Sequence, residues 1–199
     1  MSLQDFLKSL RSRWATVLVT VVIAVLGAVA VTLLTTPLYQ ASTRLFVSTT
    51  AGSSLSDAYQ GNRFSQERVV SYVQLLMGKT LAQRTVDKLG LDMSAEDLQD
   101  RVKATTKADT VLIDLQVLDP SPVRARDIAN TMSDEFVAMV RELETPADGA
   151  RPDSRVVVEQ RATVPEEPVI PKTARNLAIG LGLGIALGIA LAIVRDLLD

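Results

Sequence analysis

Pro165-Glu166-Glu167-Pro168-Val169-Ile170-Pro171, followed after Lys172 and Arg175 by the uncharged run Leu177 to Val194, is the stretch that decides how the rest of this chain is arranged. Each proline fixes its own φ and lacks an N–H, so the first part is excluded from helix and central strand and reads as a stiff, extended tether. The uncharged run is about 18 residues long, the lower end of what crosses a bilayer as a helix. It closes on Arg195-Asp196. Within it Gly180, Gly184, Gly188 and Ala192 recur every fourth residue and so share one helical face. Such a stripe lets two helix backbones approach closely inside lipid, and these four are the expected helix-packing residues. Pro165, Pro168 and Pro171 form the proline-rich motif. The expected division here is a tether over 165–176, a span over 177–194 and a tail over 195–199.

The N-terminus carries a matching anchor. Trp14 to Thr36 contains no charged residue, about 23 residues or about 34 Å of helix. Ala28-Val29-Ala30 has the form of a signal-peptide cleavage site, but Val31, Leu33 and Leu34 continue the apolar run past it, so a retained span over 14–36 is expected. Lys8, Arg11 and Arg13 precede this span, and the next base after it is Arg44. The excess of bases puts residues 1–13 in the cytoplasm, and two spans then return the C-terminus there. Lys172 and Arg175 against Arg195 argue the other way; the first helix is given precedence because it usually sets topology. The expectation is a two-pass protein of the plasma (inner) membrane, in contact with lipid.

Between the spans lies room for one small domain. Residues 37–171 hold 15 basic and 20 acidic side chains, a net charge of −5. That acidic balance argues against nucleic acid as a partner. The 199-residue chain has no cysteine and no histidine. Disulfides and thiolate chemistry are thereby excluded within it, along with the commonest general base and neutral metal ligand.

Periodicity sorts this segment into elements. Tyr39 to Thr49 alternates as a strand, and residues 50–61 read as a loop. Asn62 opens a helix with Phe64, Val69, Val70, Val73, Leu76 and Met77 on one face, ended by Gly78. A second helix runs from Thr80 to Leu89 and closes at Gly90. Ser94 to Asp97 resembles a capping box and opens a short helix to about Val102. Thr110 to Leu118 alternates again. Ser121 as N-cap and Pro122 at the first helical position start a long helix to about Leu143, with one apolar face. After a loop over 145–153, Ser154 to Val164 reads as a valine-rich strand. The fold class is α+β, a small sheet with helices on one face, over 37–164. Side-by-side pairing of the first and last strands would let both anchors enter the bilayer together.

Several motifs imitate chemistry. Gly78-Lys79-Thr80 resembles the end of a phosphate-binding loop, but the glycine required five residues before Gly78 is Val73. Glu96, Asp97 and Asp100 cluster at a helix start, where acids favour the dipole, so the reading is no metal. Arg124, Arg126 and Arg141 fall on the polar side of the long helix; the default is a solvated face, the alternative a contact with an acidic glycan or a neighbouring subunit. No catalytic residue, metal site or cofactor is expected.

Three segments carry a resemblance. Tyr39-Gln40-Ala41-Ser42-Thr43 with Leu45, Asp119-Pro120 followed by Ala125 and Ile128-Ala129-Asn130, and Ala162 with Pro165, Pro168, Pro171, Asn176-Leu177 and the glycine-rich span are similar to the Wzz-type chain-length determinants, also called polysaccharide co-polymerases. The shortness of the middle resembles the compact Gram-positive and actinobacterial members. The resemblance implies a non-enzymatic membrane scaffold that forms a homo-oligomeric ring and regulates chain length or export of a capsular polysaccharide or exopolysaccharide, with a polysaccharide polymerase and the glycan as partners. It also implies an alternative role, as adaptor and activator of a cytoplasmic tyrosine kinase, either a separate chain or a domain following Asp199 in the native gene. A generic two-span sensor or transporter accessory subunit is the third reading.

Overall fold

The computed structural model describes residues 13–49, 68–107, 110–145 and 154–197. In chain order the elements are α1 (Trp14–Leu34), β1 (Tyr39–Thr49), α2 (helical over residues 68–76), α3 (Lys79–Leu89), α4 (Ala95–Asp100), β2 (Val102–Thr106), β3 (Leu112–Asp119), α5 (Pro122–Glu144), β4 (Ser154–Gln160) and α6 (Thr173–Leu197). They form two compact units, Leu38–Pro168 and the terminal pair Met1–Pro37 with Val169–Asp199.

Leu38–Pro168 is an α+β unit with a four-stranded antiparallel sheet in the order β2-β3-β1-β4. Alternation fixes its two faces. Ala41, Thr43, Leu45 and Val47 of β1 and Ile113, Leu115 and Val117 of β3 are buried. The long helix α5 covers them with Ile128, Ala129, Met132 and Phe136, and α3 packs on α5 in turn. The ring of Tyr72 from α2 meets Phe136 edge to face, centroids 5.9 Å apart. One buried polar pair crosses this core: Thr43 Oγ1 lies 2.7 Å from Ser133 Oγ, and Ser133 donates to the Ala129 carbonyl. Both hydroxyls are therefore satisfied away from water. On the opposite face Phe46 and Val157, register partners, are 40% and 43% exposed. Arg44 sits directly across from Asp114 there and donates to it at 2.7 Å.

The ends of the helices follow local chemistry. Ser94 and Asp97 make a reciprocal capping box. Gly90 has φ 60°, a left-handed conformation that closes α3 with Leu91 N donating to the Val86 carbonyl at 3.0 Å. Ser121 caps α5 with Pro122 in its first turn.

Several expectations are corrected. The short helix stops at Asp100, and Val102 begins a strand, so the sheet has four strands instead of three. Val102–Thr106 is stabilised by its pairing with β3, a tertiary contact that no local pattern announces. Val70 and Met77 face outward; the inward positions are Val69, Tyr72 and Leu76, because residue 72 takes the place on the helix face that 70 was given. The last strand ends at Gln160, not Val164. A bulge precedes this end, with Arg44 opposite Gln160 but Leu45 opposite Val158, which leaves Glu159 as the extra residue. The proline run is no straight rod: its backbone bends at residues 166, 167, 169 and 171. Proline fixes φ but leaves ψ free, so intervening residues can turn. The last helix begins at Thr173, inside the segment read as tether. The loop over 50–61, Asn62, Phe64 and most of the loop over 145–153 lie outside the described residues.

The terminal unit pairs α1 with α6. Both helices are long and apolar enough to cross a membrane. Thr20 and Thr32 of α1 donate to the carbonyls of Thr16 and Ala28, each at 2.8 Å, so their hydroxyls are satisfied within the helix.

Candidate functional site

Backbone approach defines the seam between α1 and α6. Gly180, Gly184, Gly188 and Ala192 are buried there. A Cβ added to Gly180 would stand 2.7 Å from Ala28 Cβ, one on Gly184 2.8 Å from Val21 Cα, and one on Gly188 3.0 Å from Val17 Cα. The partner positions descend along α1 as the glycines ascend along α6, so the helices run antiparallel. Any side chain larger than hydrogen would force the backbones apart. The stripe is thus occupied by the first helix of the same chain. At one end Asn176 Nδ2 donates to Thr32 Oγ1 at 3.2 Å. Gly27 and Gly182 lie off this seam, with nothing within 4 Å of an added Cβ.

In the sheet unit, α5 fastens the chain leading out of β4. The side-chain carboxamide of Asn130 donates to the Ala162 carbonyl at 3.1 Å and accepts from the Ala162 N–H at 3.0 Å. It thereby replaces the strand partner that β1 provides to β4 only as far as Gln160. One turn further along α5, Asp134 accepts from Arg161 Nη2 and Nη1, at 2.9 and 3.1 Å. This pairing raises the Arg161 pKa above its ordinary value, mainly through the hydrogen bond. Pro165 and Pro168 follow directly on this anchored segment; Pro165 is half-buried and Pro168 exposed. Pro171, half-buried, belongs to the terminal unit.

The turn before α5 is held by a second charged group. Asp119 is fully buried. One carboxylate oxygen accepts from the Ser121 N–H and Arg124 Nε, each at 2.8 Å, and the other accepts from Arg101 Nη1 at 3.1 Å. Its charge is thus compensated twice. Arg124 is accordingly tied to this turn and Arg126 pairs with Asp127 at 2.6 Å, while their side chains stay 45% and 36% exposed, in keeping with a solvated face. Arg141 instead lines a groove of ≈ 300 Å³ between α5 and β4, together with Asp134, Arg155 and Arg161. Among the acids flagged from sequence, Glu96 pairs with Lys79 and Asp97 serves the cap. No cluster of three or more metal-ligating side chains occurs among the described residues.

Of these features the sequence pointed directly to the glycine seam and, through the resemblance, to Asn130 and Ala162 in separate motifs. It did not join those two. Asn130 lies beside the apolar positions Ala129 and Met132, and a polar side chain at the margin of a buried face was the available signal. The groove was missed because its walls come from residues 134–141 and 155–161.

Comparison with known proteins agrees with this architecture. Residues 1–89 match the family model described as chain length determinant protein, Wzz. The probable capsular polysaccharide biosynthesis protein YwqC of Bacillus subtilis strain 168 is 23% identical over 181 residues, covering 89% of this chain and 70% of that protein. The capsular polysaccharide biosynthesis protein CpsC of Streptococcus pneumoniae is 24% identical over 200 residues, covering 98% of this chain and 84% of that protein. Among solved structures, a full-length bacterial polysaccharide co-polymerase shares the fold with a TM-score of 0.54 at 10% identity, covering 99% of this chain and 98% of that one. The chain is a relative of the Wzz-type chain-length determinants.

Proposed function

We propose that this protein is a membrane-anchored polysaccharide co-polymerase that regulates the chain length or export of a capsular polysaccharide or exopolysaccharide. The observation that carries the reading is the alignment with a capsular polysaccharide biosynthesis protein across 98% of the chain, both terminal helices and the sheet unit included. In this reading α1 and α6 cross the inner membrane, Leu38–Pro168 stands outside, and both termini are cytoplasmic. Copies assemble into a ring, polymer length is set by geometry and contacts with polymerase and glycan, and no residue is assigned a catalytic role. A cytoplasmic tyrosine kinase, the further partner that the resemblance implies, would be reached from Arg195 onward. Deleting the gene is expected to change the size distribution or the amount of the surface polymer, measured by gel filtration of the extracted glycan. An unchanged distribution and amount would sink the proposal.

A further inference from the structure

Helix α6 carries two bases at the end that disfavours them. Lys172 immediately precedes the helix, and the Asn176 N–H donates to its carbonyl at 3.0 Å. Arg175 lies in the first turn. Unsatisfied N–H groups make this the positive end of the helix dipole, so α6 itself does not stabilise either base. Both side chains are exposed, and neither has an ion-pair partner among the described residues. The Asn176–Thr32 hydrogen bond sets this end of α6 against the last turn of α1. There the carbonyls of Ala28 and Val31 accept from the hydroxyls of Thr32 and Thr35. Residues 28–37 and 169–182 contain no charge besides Lys172 and Arg175. From Arg175 onward, Ile179, Leu183 and Leu187 recur at every fourth residue, and all three are exposed. Each stands one residue before a seam glycine, so this strip runs beside the seam, along the open flank of α6. Two unpaired cations at the head of an apolar strip fit a molecule with a negative head and a hydrocarbon tail.

We propose that Lys172 and Arg175 hold the phosphate of an anionic phospholipid, with one acyl chain lying along Ile179, Leu183 and Leu187. The proposal rests on the reading of α1 and α6 as membrane spans and goes beyond the polysaccharide role. A zwitterionic headgroup brings its own cation to the phosphate, whereas a net negative one leaves both bases to neutralise it, so the site prefers the anionic lipid. In the proposed orientation these bases stand outside, against the positive-inside count, and the lipid gives them a use there.

The test places the full chain in lipid nanodiscs of phosphatidylcholine, alone and mixed with rising fractions of phosphatidylglycerol. The Nε–H NMR signal of Arg175 is expected to shift with the phosphatidylglycerol fraction, and the shift to shrink as salt rises from about 0.05 to about 0.5 M. This reading is taken on the unsubstituted chain and so does not depend on a variant folding. Lys172→Gln is expected to weaken the phosphatidylglycerol dependence of that signal by about fivefold, the loss of one cation at the membrane surface. Lys172→Arg should retain it, and Arg195→Gln, near the other end of α6, should leave it unchanged. Inorganic phosphate added to discs of phosphatidylcholine alone is expected to leave the Arg175 signal in place; an equal shift would mean that any phosphate binds and would overturn the assignment to lipid. An Arg175 signal identical in both kinds of disc, or a dependence that Lys172→Gln leaves intact, also overturns the proposal. Both leaflets of a disc have one composition and no glycan is present, so the result depends neither on the orientation in cells nor on polymer length. A deletion strain with altered polymer and an Arg175 signal blind to phosphatidylglycerol would therefore remove this proposal alone.

Discussion

Single side chains do unequal work in this protein. Asn130 satisfies both backbone groups of buried Ala162, where an alanine could satisfy neither. Asn130→Ala is expected to lower the stability of the sheet unit by about 1–3 kcal/mol and to speed hydrogen exchange at the Ala162 amide. Asn130→Asp keeps the acceptor but loses the donor, and should fall between; wild-type exchange in both variants would show that the clasp is idle. Asp97 gives a pH-dependent counterpart. Hydrogen bonds from the Ser94 side chain and then its backbone hold the Asp97 carboxyl below its ordinary 3.8. A carboxyl depressed in the folded state contributes stability that is complete above the unfolded value and is lost as pH falls through the folded one. The cap of α4 should therefore loosen only below pH 3.8, seen as an NMR titration of the Ser94 amide, and Asp97→Asn should abolish that titration. At this scale the sequence was readable where a residue acts on its own neighbours, as Ser94, Gly90 and Ser121 do. Asp119 and Asn130 act across the fold, on Arg101 and Ala162, and local spacing carries no trace of that.

Elements were legible in proportion to how strongly their own period marks them. β1, β3 and α5 present long apolar faces at strand or helix spacing, and they form where expected. β2 has five residues, two of them threonine and one lysine, and depends on β3 for its conformation. The end of β4 was misplaced for a related reason: the valines continue to Val164, but after the bulge α5 takes over the hydrogen bonding. The spacing of the glycine stripe carries no sign of α1, whose atoms lie within 3.0 Å of a Cβ added at Gly180, Gly184 or Gly188. This pairing can be tested without background, since the chain has no cysteine. Thr32→Cys with Asn176→Cys is expected to cross-link within one chain on oxidation, as a mobility shift at monomer mass. Adding Gly184→Leu should reduce the yield at least about twofold, because its side chain must displace the backbone at Val21. Adding Gly182→Leu, which meets open space, should leave the yield unchanged. Equal yields in both would refute the seam.

For the molecule as a whole, the arrangement of anchors and sheet unit sets which parts a cell exposes. Lys103 is exposed on β2, and Arg195 is exposed near the end of α6. In the proposed orientation, Lys103→Cys reacts with a membrane-impermeant maleimide on intact cells, and Arg195→Cys reacts only after lysis. The reverse pattern would overturn the orientation. The order of strands in the sheet has a consequence of another kind, in time. β1 takes its neighbours from residues 112–119 and 154–160, both synthesised long after it. A nascent chain therefore carries β1 with both flanks bare until residues 112–119 are made and with one flank bare until residues 154–160 follow, and such an edge is a template for mispairing. Ser42 and Arg44, alternating with the buried positions, make that waiting strand polar on one side. Ribosomal pausing just before residue 112 would lengthen the vulnerable interval, and pausing after residue 160 would not.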